Sequence, residues 1–303
     1  MIMLKRMKAA VMEVRLTGNT KIVGIFGWPV SHSLSPPMHN AAFRAAGLDY
    51  VYVPFAIPPA KLGESLRAIA ALGVIGVNLT VPHKEAALAH LDKLSGAAQR
   101  IGAVNTVRVL KNGNLEGHNT DFIGFAQSLE RDAKFKLRGK SALLIGAGGA
   151  ARAVAFALAA DGASKVTIVN RTAERAYNLA VFLRSAARKN LVVQIMTPGD
   201  ASLPDELEQT DLVVNATSLG LKARDPLPIP AKGLGPPTLV FDTIYNPAQT
   251  ALLKAARAAG CRTCNGLGML ARQGAASFKI WTGRDPDLSL MMRTLRRCLQ
   301  RRA

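Results

Sequence analysis

Short apolar runs alternate along the chain with longer segments that carry apolar residues at helical spacing, and most runs end in a polar or glycine-containing turn. Lys21 to Gly27, Tyr50 to Phe55 and Val74 to Val77 read as strands, with helices expected from Met38 to Ala46 and from Pro58 to Leu72. After a helix running through His90, the segment Gly102 to Val109 and the turn Lys111 to Asn114 predict a hairpin, because Asn-Gly favours a tight turn. A helix follows from Phe122 to Glu130. A second series of strands then covers Ser141 to Ile145, Lys165 to Asn170, Leu191 to Met196, Asp211 to Asn215, Thr238 to Asp242 and Cys261 to Cys264. Helices from Met269 to Trp281 and from Leu288 to Arg301 close the chain, with no strand left in the second series to cover them. They are expected to return to the first series. The predicted architecture is α/β with two domains and a cleft between them: residues 1–121 with 265–303, discontinuous, and residues 122–264.

The most informative turn is Gly146-Ala147-Gly148-Gly149-Ala150-Ala151, between an apolar strand and an alanine-rich helical segment that runs to about Asp161. Glycine at 146 suits a tight turn, glycine at 148 lets a phosphate approach the backbone, and Ala151 lets the helix pack closely on the strand. Free N–H groups and the helix dipole favour an anion there. An ordinary strand-to-helix turn would need no ligand, but here a second strand follows, completing a Rossmann-type βαβ unit with a parallel sheet. That strand ends in Asn170-Arg171-Thr172, with Arg175 one turn further on, where an NAD site would carry an acid for the ribose 2′-hydroxyl. Missing acid and added guanidiniums favour a 2′-phosphate, hence NADP(H). Solvated helix-start arginines are the plainer alternative.

Composition narrows the class. The chain has 303 residues, 49% hydrophobic, enough for a large core and about two domains. No apolar stretch approaches the roughly 20 residues needed to span a bilayer. Met1 to Arg15 shows no apolar signal segment, so a cytoplasmic protein is expected. Three cysteines are too few for a disulfide framework, and Cys261-x-x-Cys264 lacks the second pair of a structural zinc site; reduced thiols and no metal are expected. The net charge is +19, and Arg293, Arg296, Arg297, Arg301 and Arg302 crowd the C-terminus. No aromatic interleaving or nucleic-acid motif accompanies them, so a solvated basic helix is expected rather than a nucleic-acid site.

Polar residues also gather at strand ends in the first series. Ser33 and Ser35 follow the first strand, at an edge where α/β sheets hold ligands, although Ser35 before Pro36 also suits a helix cap. Asn78 to Lys84 follows the third strand, and Lys84 stands near a helix start where the dipole disfavours a cation. Asp121 opens the helix after Asn119-Thr120 and would serve equally as its cap. Asn215-Ala216-Thr217-Ser218 closes a strand of the second series as a further place for cofactor contacts.

From Lys21 to about Gly283 the chain resembles the shikimate dehydrogenase family. The resemblance is carried by Gly27-Trp28-Pro29-Val30-Ser31-His32-Ser33-Leu34-Ser35-Pro36, the Asn-x-Thr-x-Pro-His-Lys run ending at Lys84, Gly102 to Thr106, Asn119-Thr120-Asp121, the glycine loop, Asn170-Arg171-Thr172, Asn215 to Ser218, Tyr245-Asn246-Pro247, and Gly268-Met269-Leu270 with Gln273. It implies reversible NADPH-dependent reduction of 3-dehydroshikimate to shikimate by a monomer or homodimer. By the same resemblance, Lys84 and Asp121 are the catalytic pair. Ser33, Ser35 and Tyr245 hold the substrate carboxylate, and Thr80, Asn105 and Gln273 hold ring substituents. Asn215, Ala216 and Thr217 line the cofactor, with Gly268 and Met269 against the nicotinamide. Leu79 and Ala271 depart mildly from the family's usual residues. A quinate/shikimate dehydrogenase with broader cofactor use is the nearest alternative, and a nonenzymatic nucleic-acid-binding protein a different one.

Overall fold

The computed structural model describes residues 16–186 and 191–301, so the N-terminal extension to Arg15 and the last arginine, Arg302, lie outside the described residues. The first half runs β1 Lys21–Gly27, α1 Ser35–Ala45, β2 Tyr50–Ala56, α2 Leu62–Ala71, β3 Val74–Leu79, α3 His83–Ala86, β4 Lys93–Leu94, α4 Gly96–Ile101, β5 Thr106–Val109, β6 Leu115–His118 and α5 Asp121–Arg131. The second half runs β7 Ser141–Ile145, α6 Gly149–Ala160, β8 Lys165–Val169, α7 Ala173–Ala186, β9 Val192–Met196, α8 Leu203–Glu208, β10 Leu212–Asn215, β11 Leu239–Asp242, α9 Ala251–Ala258, β12 Arg262–Asn265, α10 Leu267–Thr282 and α11 Leu288–Gln300.

Two six-stranded sheets result. The first, ordered β2-β1-β3-β5-β6-β4, is mixed: β1 runs parallel to β2 and β3, whereas β5 and β6 form the expected antiparallel hairpin. The second, ordered β12-β11-β10-β7-β8-β9, is parallel throughout. In each sheet the first strand is interior, with β2 and β3 on either side of β1 and β8 and β10 on either side of β7, the arrangement that places a crevice at the strand ends.

The pattern of apolar positions missed the shortest elements. The helix expected through His90 is a single α turn, α3, followed by a 3-10 turn at Ala87–His90. The two-residue β4 and the six-residue α4 and α8 are too short to show a period.

The last two helices pack on the first sheet. Phe278 of α10 stacks on Phe43 of α1 with ring centroids 4.9 Å apart, and Trp281 Nε1 donates to the Val107 carbonyl at 3.0 Å. Met291 and Leu295 of α11 are fully buried in the same cluster as Met38 and Phe43. Side chains of this size each add roughly 1.5–3 kcal/mol when fully buried, so the return of the C-terminus is a main support of the first sheet. α5 and α10 run against each other between the sheets, and Gly124 permits their approach: a Cβ there would lie 2.6 Å from the Met269 carbonyl. No helix among the described residues is long and apolar enough to cross a membrane.

Candidate active site

The glycine turn sits where the C-terminal ends of three strands meet. Ile145 of β7 lies level with Val169 of β8 on one side and Asn215 of β10 on the other. Gly146 adopts φ +107°, and an added Cβ would come within 2.9 Å of Thr217 Cγ2 and 3.2 Å of the Ala216 carbonyl. Its N–H donates to the Val169 carbonyl at 2.9 Å. At Gly148 the surroundings are open, the nearest atom to an added Cβ being Glu85 Oε1 at 4.0 Å. α6 begins at Gly149 and runs through Ala150, so its first N–H groups lack intrahelical partners beside open space. Ala147 packs at the edge of the core cluster beneath. A phosphate fits this cradle: a side chain at 146 would strike the Thr217 turn, and one at 148 would stand in the open space that an anion would take.

At the end of β8, Asn170 Nδ2 donates to the Thr172 carbonyl two residues on at 2.8 Å, an exposed bond that shapes the turn. Arg171, Thr172 and Arg175 are exposed beside it. Asn215 is fully buried, and its side chain closes its own turn: the oxygen accepts from Thr217 N–H and Oγ1, and the nitrogen donates to the Leu219 carbonyl and to Asp242 Oδ1. That leaves Ala216 and Thr217 as the turn's outward contacts. Asp242, unremarked in the sequence, anchors the neighbouring strand end by also accepting from Thr250 Oγ1 and the Ile244 N–H, and burial pushes its carboxyl pKa up.

Across the cleft, Lys84 Nζ donates to Asp121 Oδ2 at 2.6 Å, with side chains only 15% and 6% exposed. Asp121 does not cap α5. Asn119 does, its oxygen accepting from the N–H groups of Asp121 and Phe122, which leaves the Asp121 carboxylate for Lys84. Asn105 Nδ2 donates to Asp121 Oδ1 at 2.9 Å and lies 3.2 Å from Gln273 Oε1. Burying such an ion pair costs about as much in desolvation as its attraction returns, so the arrangement is poorly explained as a device for stability. Behind it runs a buried polar chain: Tyr52 Oη donates to Asn78 Oδ1, Asn78 Nδ2 reaches Thr106 Oγ1 and Ser277 Oγ, and Ser277 Oγ lies 3.2 Å from Thr120 Oγ1.

Ser33 and Ser35 follow β1. Ser33 Oγ accepts the Ser35 N–H at 3.2 Å, and the Ser35 hydroxyl makes no capping bond to α1. Thr80, at the end of β3, has its methyl against Gly27, where any Cβ would collide with it. Tyr245, from the loop after β11, packs against the core of the first sheet. At the head of α10, Gly268 turns its Cα toward Ser128 of α5 and Asp132 just after it, and the Met269 side chain is buried in the core of the second sheet. The two halves meet beside the ion pair: a Cβ on Gly149 would sit 3.0 Å from Lys84 Cβ. Among the described residues no cluster of His, Cys, Asp or Glu is arranged to hold a metal, and all three cysteines are free. Burial raises the Cys264 thiol pKa to about 11, which opposes a thiolate role.

A phosphate cradle at the switch point of a parallel sheet, facing a paired lysine and carboxylate on a second sheet, defines a two-domain dinucleotide-dependent oxidoreductase of the α/β class. Comparison with known proteins makes the class specific. Residues 25–107 match the family model for the shikimate dehydrogenase substrate binding domain, 128–221 that for shikimate / quinate 5-dehydrogenase, and 266–296 that for the shikimate 5'-dehydrogenase C-terminal domain. The chain belongs to the shikimate dehydrogenase family. It is 47% identical to the shikimate dehydrogenase (NADP(+)) of Moorella thermoacetica over 94% of this chain and 96% of that one. A shikimate dehydrogenase crystallised with NADP+ superposes with a TM-score of 0.86 at 39% identity, covering 94% of this chain and 98% of that one. The Thermus thermophilus enzyme in complex with NADP(H) and shikimate gives 0.81 at 41% identity, over 92% of this chain and 100% of that one.

Proposed function

We propose that this protein catalyses the reversible NADPH-dependent reduction of 3-dehydroshikimate to shikimate, a step toward the aromatic amino acids, with Lys84 and Asp121 as its catalytic pair. The observation that carries the reading is the buried Lys84–Asp121 contact at 2.6 Å, set against the first residue of the dinucleotide-type helix. NADPH, when bound, supplies the hydride. Lys84 presents an ammonium to the substrate carbonyl, stabilises the alkoxide that develops and donates the proton to that oxygen. Asp121 aims the ammonium, and Asn105 holds the other carboxylate oxygen.

Ser33, Ser35 and Tyr245 are proposed to hold the substrate carboxylate, and Thr80, Asn105 and Gln273 the ring substituents. Gly146 to Ala150 would take the pyrophosphate, Asn170, Arg171, Thr172 and Arg175 the 2′-phosphate side, Asn215 to Thr217 the dinucleotide beyond it, and Gly268 with Met269 the nicotinamide end. The division follows: residues 1–121 with 265–303 bind substrate and 122–264 bind NADP(H). We infer a cytoplasmic monomer or homodimer acting on small molecules, with no membrane or specific nucleic-acid partner.

Loss of NADPH absorbance on adding 3-dehydroshikimate tests the activity. Lys84→Ala should lower kcat by about 10²–10⁴-fold while substrate still saturates. Turnover near the wild-type level in that variant would remove Lys84 from the mechanism. Oxidation rates with quinate in place of shikimate, and with NAD+ in place of NADP+, separate this reading from a broader quinate/shikimate dehydrogenase.

A further inference from the structure

The sheets are joined by a reciprocal contact between α4 and α6. Arg152, one turn into α6, donates its Nε–H to the carbonyl of Ile101, the last residue of α4, at 2.5 Å. That carbonyl lies at a helix C-terminus, where a cation is favoured. The Arg152 guanidinium lies 4.9 Å from the Phe182 ring centroid. In the opposite direction, Arg100 of α4 places its guanidinium 5.0 Å from the Phe156 ring of α6, and its Nη2 donates to the Ala186 carbonyl at the end of α7 at 3.4 Å. Each helix therefore supplies one cation and one acceptor or ring to the other. Ile101, Ala103, Ala153 and Phe156 form a buried apolar cluster at the same junction.

Gly102 makes the geometry possible. Its φ of +66° ends α4, and a Cβ there would lie 2.7 Å from Arg152 Nη2. The consequences reach the reacting groups within a few residues. Val104, two positions after Gly102, donates its N–H to the Lys84 carbonyl at 2.8 Å, and Asn105 comes next. On the other side, Gly149 lies three positions before Arg152 and packs against the stem of Lys84.

We propose that Arg100 and Arg152 form an interdomain latch that sets the distance between the cofactor helix and the Lys84–Asp121 pair, which makes both arginines positioning residues. The inference rests on the dehydrogenase reading given above. The latch sets how the two halves meet and touches neither ligand's own contacts, so its loss should spare the binding of either ligand alone.

The test compares wild type, Arg100→Ala, Arg152→Ala, the double variant and Arg152→Lys in three measurements: NADP+ affinity without substrate, kcat, and the kinetic isotope effect with NADPH deuterated at the transferred position. Each alanine variant should lose about tenfold in kcat with binary NADP+ affinity unchanged within about twofold, since small misplacements of reacting groups are costly. The isotope effect should rise as hydride transfer becomes more limiting. The double variant should lose little more than either single one, because the two act as a unit, and Arg152→Lys should recover part of the rate. Unchanged kcat in both single variants overturns the latch, and so does a fall in binary NADP+ affinity that matches the fall in kcat. If wild type itself shows no NADPH-dependent turnover, the dehydrogenase reading fails instead. The latch is then judged by small-angle scattering, where the ligand-free double variant should be more expanded than wild type and identical profiles would overturn it.

Discussion

The amide of Asn105 turns its oxygen to the Thr120 N–H at 2.6 Å and its nitrogen to Asp121 Oδ1 at 2.9 Å, so one side chain fixes how the carboxylate faces Lys84. Asn105→Ala should lower kcat by about 10–100-fold, the loss expected when a hydrogen bond to a charged group worth roughly 1.5–3 kcal/mol is removed. Steady-state rates at saturating substrate check this, and an unaltered kcat would leave Asn105 with no part in orienting Asp121. A second residue-scale prediction concerns His39, which is fully buried, stacked 4.4 Å from the Tyr52 ring, and has neither ring nitrogen hydrogen-bonded. Burial lowers its pKa from 6.5 to about 3. Between those values the unfolded chain binds a proton that the folded chain does not. Stability is therefore fully present above pH 6.5 and falls as pH drops toward 3, by up to about 1.4 kcal/mol per pH unit from this ring. Urea unfolding of His39→Phe across that window should show a shallower acid limb than wild type. Lys84 stood out in the sequence because a cation at a helix start has little structural excuse, whereas Ser33 and Ser35 stood out only as polar groups at a strand end, which a helix cap would explain as well. The capping by Asn119 was not, since Asn119 and Asp121 are equally good caps on paper and only the folded chain decides which carboxylate or amide turns inward.

Among the elements, the β7–α6 unit combines two kinds of glycine constraint, which two substitutions separate. Gly146→Ala places a side chain at φ +107° and against Thr217, so it should reduce both stability, by about 1–2 kcal/mol, and NADP(H) affinity. Gly149→Ala meets Lys84 Cβ at 3.0 Å in an ordinary helical position, so it should lower kcat while the fold and its melting temperature are nearly kept. Thermal melts beside cofactor titrations distinguish the two, and a Gly149→Ala enzyme with full activity would show that the Lys84 stem can move aside freely. The strand–turn–helix itself was readable because β7, α6 and β8 carry their own periodicity. What lies across the cleft from it was not, since the contact between Arg100 and α6 pairs residues far apart in sequence and leaves no periodic trace.

For the whole molecule, the excess of 39 Lys and Arg over 20 Asp and Glu gives a field that attracts an anionic substrate and a more strongly anionic cofactor. kcat/KM should fall severalfold between roughly 20 and 300 mM salt while kcat changes less, because screening acts on encounter and not on the assembled complex. A flat salt profile would show that the charge lies where arriving ligands do not feel it. The chain crosses between the sheets twice, once into α5 and once into α10, and these two helices lie side by side. Asp121 heads the first crossing and Gln273 sits in the second. Were one sheet to rock against the other about this packed pair, Asp121 and Gln273 would lie near the axis, and points near an axis travel least, so these two side chains would keep their alignment better than any group at the outer rims.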